Sequence, residues 1–284
     1  MAYHRIHKYT SIGRPLEPAV PTNRAVMILM PVGAAIGAGS SWLSGQTGIQ
    51  LLEQALAFLL VVFASWALAR ELDPDDPLVA FISMTAAVLA ALVVDEPALL
   101  VVFATLGLVR ITNRSTGLAA RLSDSILCLV LVLFVMYSTA SPFFGLVAAL
   151  AFVLDGTLKE PLRHQWIFGL LSLGGTVVYM VDHDIGLGPV PSPDTLFEWL
   201  ALLFLLIFAL NTLLLKRVYS KGDTSGRTLD LNRVRGGMAV GLFAALQGIT
   251  RPAEVVVIIA TITGICIGMA FRKGFKAPIS NKQS

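Results

Sequence analysis

A polytopic all-α bundle embedded in a membrane is the fold class this chain predicts, on three observations. Its 284 residues are 56% hydrophobic and only 14% charged, with mean hydropathy +0.77, whereas a soluble chain carries about 25% charged residues. The apolar residues gather into long runs separated by short polar loops. The basic residues fall almost entirely between alternate runs. So little charge cannot cover a water-facing surface, which excludes a soluble enzyme, a nucleic-acid-binding module, a disordered chain and a secreted disulfide scaffold. Cys128 and Cys266 each sit inside an apolar run and imply neither a disulfide framework nor a metal cluster.

A hydrocarbon core about 30 Å thick requires about 20 apolar residues per helix. Ten segments qualify or nearly do: 25–43, 50–69, 77–94, 97–109, 124–140, 142–155, 166–182, 196–215, 236–250 and 253–271. The short ones share tight turns with their neighbours, which predicts hairpins over 77–109, 124–155 and 236–271. Pro97, Pro142 and Pro252 stand just past those turns, where the missing N–H costs nothing. Residues 1–24, with Pro15, Pro18 and Pro21, read as a polar cytoplasmic tail and not a cleavable presequence. Residues 272–284 form a second cytoplasmic tail after the membrane domain of 25–271.

Orientation follows from charge. With both ends inside, only Arg251 of the 21 Lys and Arg residues faces out, as positive charge favours the cytoplasmic side. Trp42 and Trp199 then reach the outer interface and Trp66 and Trp166 the inner one, where amphipathic rings prefer to lie. The predicted location is a cell membrane, multi-pass; the pI near 9.0 reflects this topology and no nucleic-acid partner. The sequon Asn113-Arg114-Ser115 faces inward and is discounted.

Segment 51–69 aligns without a gap on 196–214, pairing Glu53 with Glu198 and Phe63 with Phe208. This suggests a parallel 4+2+4 internal repeat around a central hairpin, with a binding interface between the halves. In length and topology the plan resembles the drug/metabolite transporter superfamily, whose halves are inverted; the resemblance covers architecture and no motif. The acidic loop 71–76 resembles that of intramembrane prenyltransferases in place only. Its acids, Glu71, Asp73, Asp75 and Asp76, are spaced two, two and one with no preceding Asn.

Ionisable groups in membrane segments are the first place to look for function. None falls near the middle of a segment, so the expected cargo is neutral, apolar or lipid-like. Glu53 and Glu198, a turn in from the outer ends, are candidates for cation or proton binding, although Thr195 and Glu198 also form a capping box. Asp73, Asp75 and Asp76 are metal candidates for Mg²⁺; otherwise no cofactor is implied. Loops 112–124 and 220–237 mix Gly, Ser, Thr and Arg, which makes Arg114, Arg121, Arg227 and Arg233 candidates for phosphate or lipid headgroups. His4, His7, His164 and His183 lie outside the spans, which disfavours haem; Asp182-His183-Asp184 is a minor metal candidate. Gly33/Gly37, Gly237/Gly241 and Gly264/Gly268 have the spacing of close helix contacts. The expected activity is carriage of a small or lipid-like solute. Alternatives are a membrane-embedded enzyme acting on a lipid or polyprenyl phosphate, and a non-catalytic subunit of a membrane complex.

Overall fold

The computed structural model describes residues 9–94, 96–185, 193–247 and 252–276. The turn containing Arg251, the histidines His4 and His7, and the tail beyond residue 276 lie outside them. The described chain is all-helical, in ten helices: α1 (Pro21–Leu43), α2 (Ile49–Leu72), α3 (Pro77–Ala91), α4 (Leu99–Asn113), α5 (Leu122–Ser138), α6 (Phe143–Thr157), α7 (Gln165–Asp182), α8 (Leu196–Leu214), α9 (Leu231–Leu246) and α10 (Pro252–Lys276). Four stretches, α1, α2, α8 and Glu254–Arg272 of α10, are long and apolar enough to cross a bilayer.

Several helices run past the apolar segment at their polar ends. Hydropathy marks where hydrocarbon would stop, but backbone hydrogen bonding continues until a cap ends it. Thus α9 begins at Leu231, because the Asp230 carboxylate accepts from the N–H groups of Asn232 and Arg233, an N-cap that satisfies two orphan donors. Asp76 does the same for α3, accepting from Leu78 N at 3.0 Å. At the end of α8 the Arg235 guanidinium donates to the carbonyls of Leu213 and Leu215, a cation where the helix dipole is negative.

Two helices occupy the centre. α2 lies among α1, α3, α4, α9 and α10, and α4 among α2, α5, α6, α9 and α10. α5, α7 and α8 stand at the periphery. Exposure there is inverted relative to a soluble protein: Leu170, Val177, Val178 and Val181 of α7 and Leu206, Leu210 and Leu213 of α8 are exposed, while Glu71 and Asp155 are wholly buried. An outward-facing apolar surface of this kind is compatible with a lipid environment. Trp42, Trp166 and Trp199 are exposed as interfacial rings would be, but Trp66 is packed inside at 7% exposure.

The glycine pairs sit where helices touch. A Cβ on Gly33 or Gly37 would meet Phe58 and its neighbours on α2, one on Gly241 would meet Leu72, and one on Gly264 would meet the Ser83 backbone of α3. Between apolar helices in lipid, such close approach supplies the packing energy that a hydrophobic driving force cannot. Gly264→Val should therefore lower stability by about 1–3 kcal/mol through overpacking, read as a lower melting temperature in detergent. Gly39→Ala, where a Cβ meets nothing within 4 Å, should leave it unchanged.

Candidate functional site

The ends of α2, α4 and α6 and the starts of α1 and α9 converge at one end of the bundle, here the basic end, around two carboxylates with no solvent exposure. Glu71, in the last turn of α2, accepts through Oε1 from Arg14 Nη1 at 3.0 Å and Arg110 Nε at 2.9 Å. Its Oε2 accepts from Asn113 Nδ2 at 3.0 Å, and the same amide reaches the Glu71 carbonyl. Arg110 and Asn113 are three apart on the last turn of α4, so one helix face presents both. Asp155, near the end of α6, accepts through Oδ1 from Arg114 Nε at 2.8 Å and Arg233 Nη1 at 2.7 Å. Arg233 also donates to the carbonyls of Lys159 and Thr112. Charges this deep persist only when paired and hydrogen-bonded.

The loops close over this layer. From Tyr9 onward the expected N-terminal tail is strapped across the basic end. Ser11 donates through N and Oγ to Asp124, and its carbonyl accepts from Thr116 Oγ1. Arg14 spans from Glu71 to Asp223; burial alone would lower its pKa, but the two carboxylates outweigh it and hold the value above the ordinary one. Burial pulls the Arg114 guanidinium below its usual value, with Asp155 opposing. Loops 114–118 and 221–228 interlock through Asp223 N and Thr224 N, which donate to the Ser115 and Thr116 carbonyls. Gly117, at φ +79°, lies against Ser225 and Gly222 so closely that no side chain fits there.

The sequence-derived candidates separate. Arg114, Arg227 and Arg233 do come together, with Lys159 and Ser225, around a cavity of about 160 Å³. Arg121 does not; its backbone N–H donates to Ser11 Oγ and Asp124 at the start of α5. The three loop aspartates turn to three different partners. Asp73 pairs with Arg272 at 3.6 Å, Asp75 accepts from the Tyr219 and Ser220 N–H groups, and Asp76 caps α3. No group of three acid, His or Cys side chains is placed to hold a metal among the described residues. His183 stacks on Tyr179 at 4.1 Å.

At the far end, Glu53 lines an open cleft of about 650 Å³ between α1, α2 and the α3–α4 turn. Ser40, Ser44, Gln46, Gln50 and Glu96 share that wall. Glu198 lies elsewhere, in the capping box that starts α8: its Oε2 accepts from Asp194 N at 2.7 Å, and Thr195 Oγ1 accepts from its own N–H. The sequence alone shows Glu71 only as part of an acidic loop. The available signal was the Arg110/Asn113 spacing at a helix end, facing an acid at the end of another helix.

With this geometry in place, no protein family, curated protein or solved structure matches the chain.

Asp155→Leu strands two buried arginines and should cost about 3–5 kcal/mol, measured by unfolding in detergent. Burial pushes the Asp73 carboxyl up to about 6, against an ordinary 3.8; Arg272 opposes, and Asp75 and Asp76 add to the rise. The folded state therefore holds this proton more tightly than the unfolded one, so the contribution of Asp73 to stability declines as pH rises from about 4 to about 6. Asp73→Asn should raise the melting temperature above pH 6, and the gain should vanish near pH 4.

Proposed function

We propose that the chain is a multi-pass carrier in a cell membrane, crossing ten times with both termini cytoplasmic, and that its solute enters through the cleft at Glu53. The observation that carries this is the contrast between the two ends of α2. At one end Glu53 and Glu96 face an open cleft large enough for a small molecule. At the other, Glu71 is locked by Arg14, Arg110 and Asn113. Such a pairing, open outside and tied shut inside, is what alternating access requires of one conformation. The carboxylates, amides and hydroxyls of the cleft suit a small polar or cationic solute better than an apolar one.

The internal repeat is not needed for this reading. α2 is central, but its counterpart α8 packs only at the periphery against α9 and α10, and α7 packs on α5 and α6. A second reading, action on a lipid or polyprenyl phosphate at the cytoplasmic face, draws on the cavity of Arg114, Lys159, Arg227 and Arg233. The loop aspartates Asp73, Asp75 and Asp76 each have a partner of their own, Arg272, the 219–220 backbone and the start of α3.

Metabolite profiling of cells with and without the chain identifies the solute. Glu53→Gln should then slow its initial transport at least about tenfold, the loss of one charge-assisted contact, while Glu198→Gln leaves it unchanged. Wild-type transport by the Glu53 variant overturns the assignment of the cleft. For orientation, Ser44→Cys should react with an impermeant maleimide in intact cells, and Ser225→Cys only after permeabilisation.

A further inference from the structure

We propose that the Glu53 cleft takes a solute bearing a primary ammonium group on a short apolar body. This rests on reading the cleft as the solute's entrance, and it names the class of solute that its walls select.

The hydroxyls of the lining point to a donor-rich ligand. Ser40 Oγ donates to the Gly37 carbonyl at 2.9 Å, Ser44 Oγ to the Ser40 carbonyl at 3.0 Å, and Ser41 Oγ to Gln46 Oε1. A hydroxyl has one proton, so all three serines have already committed theirs and offer a ligand only lone pairs. Gln46, Gln50 and Gln54 each carry two N–H donors and two lone pairs, which balance. The remaining polar side chains of the lining are the carboxylates of Glu53 and Glu96. Acceptors are therefore in excess on every wall, and the occupant must supply the protons.

The charges point the same way. Other acids placed within the helices have partners among the described residues. Glu71 and Asp155 hold arginines, Asp124 holds Ser11, Glu198 caps α8, Asp182 meets His183, and Glu254 is engaged as well. The Glu53 carboxylate makes no hydrogen bond or ion pair among the described residues, and neither does that of Glu96. The two come from separate elements, α2 and the α3–α4 turn, and no Lys, Arg or His lines the space between them. A cleft of one sign with apolar surroundings concentrates counter-ions of the other.

Size and lining decide which cation. About 650 Å³ is far more than a bare ion fills, and Ala57, Ala91, Leu92, Val94 and Pro97 make the rest of the wall apolar. A primary ammonium brings three N–H donors and no acceptor. A quaternary ammonium brings no donor and needs aromatic faces, but Phe58, the aromatic residue of this lining, is only 2% exposed. An alcohol brings one proton and two further lone pairs to a surface already rich in them.

Purified full-length protein in detergent at neutral pH, melted with hexylamine, hexyltrimethylammonium, hexan-1-ol, hexanoate or Mg²⁺, tests the assignment. Hexylamine should raise the melting temperature saturably. The trimethylated cation should need at least about tenfold more for the same rise, and the alcohol, the carboxylate and Mg²⁺ should give none. Glu53→Gln and Glu96→Gln should each weaken the apparent affinity for hexylamine about tenfold, and Glu198→Gln should retain it. No shift with hexylamine, an equal shift with hexan-1-ol or Mg²⁺, or full affinity in either cleft variant overturns the assignment. Melting needs no transport, so the two readings fail separately. Amine binding without transport removes the carrier and keeps the ammonium site, whereas Glu53-dependent transport of a solute without an amine removes the ammonium site and keeps the carrier.

Discussion

Glu71 and Asp155 sit in a layer of arginines at one end of a bundle whose outer helices expose apolar side chains, and the arrangement of that end follows from their need for partners. When the solvent is lipid, moving a leucine from solvent to a neighbouring helix gains little, so apolar contact alone does not choose which helices are neighbours. A buried carboxylate does choose. Glu71 requires α4 and the N-terminal strap to lie against α2, and Asp155 requires α4 and α9 to lie against α6. α4 is therefore central because it supplies Arg110, Asn113 and Arg114 to both acids. The strap from Ser11 to Arg14 and the interlocked loops at Gly117 and Gly222 then complete the cover over the layer.

The glycines contribute the second kind of specificity. Along α1–α2, α3–α10 and α9–α2 they bring backbones near enough for dispersion to act over many atoms. Among the described residues, a dense group of buried ion pairs lies at the basic end and close packing runs along the helix bodies. At the far end Ser141 Oγ donates to Gln247 Oε1 and Ser41 Oγ to Gln46 Oε1. Glu53 beside its open cleft and the paired Glu71 stand about 27 Å apart on one helix.

The legible part of the site was its chemistry, and the illegible part its partnerships. Arg114, Arg227 and Arg233 were readable as phosphate or headgroup candidates, because their loops mix arginine with Gly, Ser and Thr, and they do line one cavity. That two of them are already engaged by Asp155 was not readable, since the carboxylate lies 41 and 78 residues away along the chain. The loop acids show the converse. Asp73, Asp75 and Asp76 look like a cluster in sequence, but Pro74 and the turn into α3 send them to Arg272, to the 219–220 backbone and to a helix cap. Adjacent residues in a turn take separate partners, and those partnerships are set by residues far along the chain.

The sequence by itself determined that the chain is helical and apolar, where each helix centre lies, and which side gathers the positive charge, because those properties depend on composition and period alone. Helix ends were less clear, since capping by Asp230 or Asp76 extends a helix past the point where hydropathy falls. Only the tertiary structure decided which acid meets which arginine, and that Glu53 opens onto a cleft while Glu198 caps the start of a helix. Each of these is a meeting of residues far apart in the chain, set by how the helices pack against one another, and no local pattern records it.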